Sequence, residues 1–241
     1  GIGRAVTEAV LAEGWTAIAV DLSADALARC RGEISDAGDR LICEELDVAD
    51  EAAVAALIDG LETSGNALTG VVNSAGTGAD IPALGTTAET FRKLLWVNLV
   101  GSFVVAREAA RHMAERRRGS IINIASVSGM VGNTGRVAYG ASKGGILSAT
   151  KVMAVEWANL GIRVNAISPG PIETPLVTRV HTAAARQAWH ERVPSHRYGT
   201  PEEVAGAAMF LLDESKSSYV TGHTLVVDGG MTVAGLMHSN D

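Results

Sequence analysis

The sequence predicts an α/β fold in one domain: a doubly wound parallel sheet flanked by helices. Short β-branched runs alternate with longer Ala-rich stretches of helical period, the pattern of strands covered by crossover helices. A chain of 241 residues suffices for a single α/β core, and its 47% apolar content is ample to fill one. No repeat or linker divides it.

Residues 4–13 read as a helix closed by Gly14, and 16–21 as a strand. A helix follows over 23–37, with Ser23 or Asp25 near its cap. Residues 40–46 then form a strand and 50–64 a helix. The run 70–74 is nearly all apolar, as suits a strand buried on both faces. Helices cover 87–96 and 99–116. The basic run Arg116-Arg117-Arg118 before Gly119 reads as a helix C-terminus, where cations suit the dipole and glycine ends the helix. Residues 120–125 form another buried strand, 137–159 a long helix ended by Gly161, and 162–168 a strand stopped by Pro169-Gly170-Pro171. Periodicity weakens over 176–196, which predicts one or two loose helices. Pro201 opens a helix through Leu212, and 224–228 is the last strand.

The net charge of −7 argues against nucleic acid as the main partner, since phosphate binding needs clustered positive charge. Cys30 and Cys43 offer neither a disulfide framework nor metal spacing. The six histidines contain no i,i+4 pair, so no metal site is expected. With no apolar run of membrane length and no leader, the expectation is a cytoplasmic protein without a membrane partner.

Gly1-Ile2-Gly3 leads straight into a helix, whereas a dinucleotide-binding unit places a strand before this turn. The expectation is that the native domain starts about ten or more residues earlier. Without that strand, the neighbouring strand edges should stand unpaired. The rival reading is a natural truncation that has lost cofactor binding.

The helix after Gly3 would aim its first N–H groups at a pyrophosphate. Asp21 ends the next strand, placed to accept hydrogen bonds from the adenosine ribose and to repel the extra phosphate of NADP. At ~4 Å and an effective dielectric near 20, each charge pair costs roughly 4 kcal/mol. The nearest following cation is Arg29, so NAD is favoured and NADP disfavoured; the bland alternative is an Asp that caps a helix. Tyr139-Gly140-Ala141-Ser142-Lys143 puts a phenol and an ammonium on one helix face. Carbonyl reduction needs a proton donor, and alcohol oxidation a base, near working pH. A free phenol titrates near ~10, and a neighbouring cation lowers that value. Alone, Tyr-x-x-x-Lys is common on helices.

Taken in order, the motifs are far more specific. From Gly1 to about Gly230 the chain resembles the short-chain dehydrogenase/reductase family, which is Rossmann-like. Gly1-Ile2-Gly3 looks like the end of that family's glycine-rich turn, and Asp47-Val48 like its adenine-pocket pair. Asn73-Ser74-Ala75-Gly76 resembles its Asn-Asn-Ala-Gly motif, with Ser in second place. Val227-Asp228-Gly229-Gly230 matches its C-terminal strand signature.

The resemblance implies catalytic roles for four residues. Asn98 would support a water in a proton relay. Ser126, thirteen residues before Tyr139, would hydrogen-bond the substrate oxygen; Ser128 is its competitor. Tyr139 would deliver the proton, and Lys143 would also hold the nicotinamide ribose. Pro169, Gly170, Ile172 and Thr174 would flank the nicotinamide. Each has a bland counterpart: Asn73 tying a strand end, Asn98 capping a helix, Pro169-Gly170 making an ordinary turn.

The expected function is hydride transfer between NAD(H) and a small secondary alcohol or ketone, such as a polyol or sugar. A 3-oxoacyl thioester reductase and a non-catalytic nucleotide-binding protein are the alternatives. The pocket should draw on 77–84, 130–137 and the lid 176–196. In that lid, Arg179, His181, Arg186, His190 and Arg192 suit either a solvated face or contacts to a carboxylate, phosphate or polyol. Trp189 suits either closure over substrate or packing on the domain. The family resemblance also implies a homotetramer in which the helices 99–116 and 137–159 pair with symmetry copies and the C-terminal strand with another; the tail 233–241 is long enough to reach a neighbour.

Overall fold

Parallel pairing between short apolar strands organises the chain, and helices cover both faces. A computed structural model describes residues 1–235. The order is α1 (Ile2–Ala12), β1 (Ala17–Asp21), α2 (Ala24–Glu33), β2 (Leu41–Glu45), α3 (Glu51–Thr63), β3 (Gly70–Asn73), α4 (Ala88–Leu95), α5 (Gly101–Arg116), β4 (Gly119–Ile124), α6 (Val137–Trp157), β5 (Ile162–Pro169), α7 (Pro175–Val180), α8 (Ala183–Arg192), α9 (Pro201–Leu212), α10 (Glu214–Ser217) and β6 (Thr224–Val227).

Strands β3, β4, β5 and β6 pair in that order, and β1 pairs with β2, all in parallel. Among the described residues no ladder joins β1 to β3, and a cleft runs between their facing edges. This explains one departure. The apolar run at β3 is only half-buried over Gly70–Val72, because one side meets the cleft, while β4 is buried throughout.

The period-two alternation of β4 sets the layers. Ile121 packs with Val54, Ile58, Val104 and Met113 beneath α3 and α5. Ile122 and Ile124 pack with Val6, Val204 and Leu211 beneath α1 and α9. Each such side chain, fully withdrawn from water, contributes about 1.5–3 kcal/mol. A buried polar chain crosses the first layer. Asn73 Nδ2 donates to Asn123 Oδ1 at 2.9 Å and to Ser102 O at 3.1 Å, and Asn123 Nδ2 donates to Thr150 Oγ1 at 2.9 Å. Asn73 and Asn123 are partners in register, so the chain locks β3 to β4 and both to α5 and α6.

Helix ends follow the expected chemistry with two exceptions. Of the two expected caps for α2, Ser23 takes the role, accepting from Ala26 N. That helix stops at Glu33, and a tight turn with Gly38 at φ 56° replaces its expected last residues. Arg117, not Gly119, takes the left-handed position ending α5, at φ 52°. Gly119 instead admits Met113, whose Sδ would lie 2.3 Å from an added methyl. The basic run is absorbed structurally: Arg116 pairs with Glu62, Arg117 donates to Asn159 O, and Arg118 pairs with Glu214. Among the described residues no helix is long and apolar enough to cross a membrane, and no cluster of three metal-ligating side chains occurs.

Candidate active site

Helix α6 carries Tyr139 and Lys143 one turn apart, and its glycines explain its seat. A methyl on Gly140 would lie 2.7 Å from Ser128 O, and one on Gly145 2.7 Å from Leu99 Cδ2. Opposite them, a methyl on Gly129 would meet Gly144 N and Lys143 C, both at 2.7 Å. The turn Val127–Gly129 therefore rests on bare helix backbone, and this contact sets Ser126 beside the Tyr139 hydroxyl, whose pKa it lowers. Ser128, the competitor by spacing, spends its hydroxyl on Asn133 Nδ2 at 3.1 Å. Ser126 is the serine at the phenol.

The Gly129 contact is testable. Backbone atoms cannot swing aside, so Gly129→Ala is expected to cost about 1–3 kcal/mol of stability. A thermal melt identical to that of the unaltered chain would show that this packing is loose.

Lys143 is buried; its Nζ donates to Ile124 O at 2.7 Å and lies 5.8 Å from the Tyr139 ring centroid. Desolvation pushes the ammonium down to about 8. Burial also pushes the Tyr139 phenol above its ordinary value, and the Ser126 hydrogen bond and the nearby Arg136 charge pull it back only in part. The sequence expectation of a phenol drawn toward neutrality counted a bound oxidised nicotinamide as well as Lys143; in the chain alone the direction is upward. In the chain alone, desolvation outweighs the cations, and Tyr139 is held as a protonated donor.

Asn98 lies behind this pair in a π-helical turn, Trp96–Val100, that joins the two predicted helices into one continuous rod. Such turns widen the helix and are frequent at functional sites. Its side chain is fully buried and engaged: Oδ1 accepts from Thr77 N at 2.8 Å, while Nδ2 donates to Thr77 O at 2.9 Å and Ser142 Oγ at 3.0 Å. The amide thus ties the loop after β3 to α6. A methyl on Gly76 would stand 3.1 Å from Asn98 Oδ1 and 3.7 Å from Lys143 Nζ, so glycine keeps the space before the lysine open.

The remaining candidates share one cleft of about 1400 Å³. Gly1, Ile2, Gly3, Asp21, Asp47, Val48, Asn73, Ala75, Gly76, Pro169, Gly170, Ile172 and Thr174 line it, together with Ser126, Tyr139 and Lys143. Asn98 does not line it. At one end α1 has neither a side-chain cap nor an acid in its first turn, so its leading N–H groups stay open to an anion. Asp21 is exposed and uses one carboxylate oxygen on Ser23 N at 2.9 Å. Asp47 Oδ1 accepts from Ala49 N, and Val48 packs against Gly101. The Asn73 amide is drawn into the core network, and the Ile172 side chain into the α1–α9 layer. Thr174 caps α7, accepting from Val177 N at 3.3 Å.

The segment after β5 forms two helices, α7 and α8, anchored at both ends. Ile172 bridges to Gly199 on one side. On the other, Ser195 N donates to Gly229 O at 3.2 Å, and Gly229, at φ 62°, leaves room for Ser195 and Val193. Asp228 fixes that turn by accepting from Gly230 N and Thr232 N. Trp189 packs on Val127, Val193 and Met231 and stacks on His181 at 5.9 Å, so it rests on the domain. Of the expected tail 233–241, residues 236–241 lie outside the described residues. Sequence reasoning passed over Arg136, whose guanidinium stands 5.6 Å from the Tyr139 ring centroid. Its signal was available: a cation three residues before the tyrosine, at the N-cap of its helix.

A parallel sheet wrapped by helices, a cleft at its strand ends and a phenol–ammonium pair on its wall define a dinucleotide-type oxidoreductase scaffold. The family model described as "Enoyl-(Acyl carrier protein) reductase" matches residues 1–232, and the chain belongs to the short-chain dehydrogenase/reductase family. An uncharacterized short-chain type dehydrogenase/reductase of Sinorhizobium fredii is 40% identical over 233 residues, covering 95% of this chain. The chain spans only 41% of that relative's length. A 3-oxoacyl-acyl-carrier-protein reductase of Thermotoga maritima is 36% identical over 97% of this chain and 94% of that protein. The crystal structure of a gluconate 5-dehydrogenase from Burkholderia cenocepacia, in complex with NADP and tartrate, superposes with TM-score 0.91 at 36% identity, covering 98% of this chain and 92% of that one. The family works with nicotinamide dinucleotides on hydroxyl and keto groups.

Proposed function

We propose that the chain interconverts a small secondary alcohol and its ketone with NAD(H), using Tyr139, Ser126, Lys143 and Asn98. The observation that carries this reading is that Ser126, Tyr139 and buried Lys143 share one wall of the cleft that begins at α1. Gly1–Gly3 and the first turn of α1 would hold the pyrophosphate, Asp21 the adenosine ribose, and Pro169 to Thr174 the nicotinamide side. When bound, the nicotinamide gives or takes the hydride. The protein's own work is to orient and to move a proton. Ser126 and Tyr139 together grip the substrate oxygen, and Tyr139 passes its hydroxyl proton to that oxygen as the carbonyl is reduced. Lys143 supplies positive charge next to the phenolate left behind. Asn98 holds the loop at Thr77 and the helix at Ser142 in register around them. Titration of the chain with NADH by fluorescence, followed by turnover against a panel of secondary alcohols and ketones, tests the reading; binding without turnover of any of them would leave the non-catalytic alternative.

Asp21 supports the choice of NAD. Arg4 lines the same cleft and offers a charge that would suit NADP, but it is engaged by Glu8 and Glu33. Asp21→Asn is expected to raise kcat/KM with NADPH by about tenfold or more relative to NADH, the exposed setting reducing the full repulsion. An unchanged ratio would remove Asp21 as the selector. Reduction of 3-oxoacyl thioesters is a second reading, favoured by the Thermotoga relative, and chain-length dependence of KM separates it. Val152 and Val155 on α6 and Phe103 on α5 are exposed apolar residues on the helices assigned to a homotetramer. Sedimentation at micromolar concentration tests that assembly.

A further inference from the structure

We infer that the substrate carries a carboxylate held by Arg136, which makes it a small hydroxy- or keto-acid; this rests on the oxidoreductase reading above. Arg136 precedes α6 and stands one turn before Tyr139. Its side chain is only 12% exposed. Its Nη1 and the Tyr139 ring edge would each lie 3.8 Å from a methyl on Gly78, so guanidinium and phenol pack side by side over that glycine. The cation is therefore both desolvated and next to the group that meets the substrate oxygen.

It also lacks a close counter-ion. Asp80 Oδ2 is 3.8 Å from Nη2, the outer limit of an ion pair. Nη2 donates to His181 Nε2 at 3.0 Å. That bond requires an unprotonated Nε2, so His181 is neutral and its Nδ1–H points to Tyr198 Oη at 2.9 Å. Among the described residues no acceptor meets Nη1. Four other arginines are better served. Arg107 meets Glu51 at 2.5 Å, Arg116 meets Glu62 at 2.5 Å and Arg197 meets Glu203 at 2.6 Å, while half-buried Arg163 rests on the carbonyls of Leu211 and Val220. A buried cation whose one carboxylate stands at the limit of an ion pair is costly, and an anionic ligand relieves the cost.

The surroundings choose among anions. One guanidinium faces one neutral imidazole and a nearby carboxylate, Asp80. That balance suits a monoanion and disfavours a phosphate dianion, which Asp80 would repel. A carboxylate on Nη1 would stand beside the Tyr139 ring, because guanidinium and ring pack over the same Gly78. His181 and Tyr198 bring the lid side of the site into the same hydrogen-bonded chain.

The test compares 2- and 3-hydroxycarboxylates with their primary amides, which keep the shape and lose the charge. The unaltered chain is expected to favour acid over amide in kcat/KM. Arg136→Gln should lower the acid-to-amide ratio by roughly 10- to 100-fold, mostly through KM, and Arg136→Lys should recover part of it. Because Arg136 also acts on the Tyr139 phenol, R136Q will shift the pH profile for both substrates alike, and the ratio cancels that effect. An unchanged ratio, or a preference for amides in the unaltered chain, overturns the proposal and leaves Arg136 a latch between α6 and the lid. If none of these compounds turns over, the panel of uncharged secondary alcohols and ketones decides the oxidoreductase reading on its own. Titration of the same acids by intrinsic tryptophan fluorescence, with dinucleotide present, then decides Arg136 alone: binding lost in R136Q supports the carboxylate site, and equal binding in both chains removes it.

Discussion

Tyr139→Phe is expected to lower kcat by about 10²- to 10⁴-fold, the usual worth of a positioned proton donor. Removing one oxygen leaves the ring packed over Gly78 and beside Lys143, so folding and dinucleotide affinity should hardly move. That split is the diagnostic part. A melt within a degree or two of the parent, unchanged fluorescence titration with NADH and collapsed turnover together identify the hydroxyl as the proton carrier. Turnover retained near the parent level would take Tyr139 out of the mechanism. Since burial raises the phenol, the donor form persists well past neutral pH.

The second large effect concerns Lys143 and moves activity and stability in opposite directions. Its pKa falls from 10.5 to about 8 on folding, because burial penalises the ammonium. The unfolded chain therefore binds more protons between those values, and the sign of linkage follows. The penalty is fully present below about pH 8, shrinks as pH rises from there, and is gone above 10.5. Its size is roughly 3 kcal/mol at neutral pH, taken at about 1.4 kcal/mol per pKa unit. Lys143→Met removes the buried charge but strands the Ile124 carbonyl, which returns about 1–3 kcal/mol. The expected outcome is a variant as stable as the parent, or more so, at pH 7 and with little turnover. The parent's carbonyl reduction should decline above about pH 8 as the ammonium is lost. A variant markedly less stable than the parent would contradict the desolvation argument.

Much of this was legible in the chain because it is written in local pattern. β-Branched runs marked β4 and β5 within a residue at each end, and Pro201 marked the start of α9. The order of short motifs gathered the residues of one cleft from seven places along the sequence. What escaped was set by tertiary contact. The π-helical turn at Asn98 arises from α4 and α5 meeting without a break, and no residue type announces it. Arg117 rather than a glycine ends α5, with Gly161 pressed against the Arg117 carbonyl. The direction of the Tyr139 shift needed burial, which spacing does not report. Asn73 looked like a ligand-side residue, yet its amide is committed to Asn123 and Ser102 in the core.

The segment carrying α7 and α8 is moored at both posts. Ile172–Gly199 holds the near post and the Asp228-Gly229-Gly230 turn holds the far one. Between those posts the break between the two helices falls at His181 and Thr182. His181 is the residue bonded to Arg136. Arg136, at the head of α6, therefore grips this segment at its crease rather than at either post.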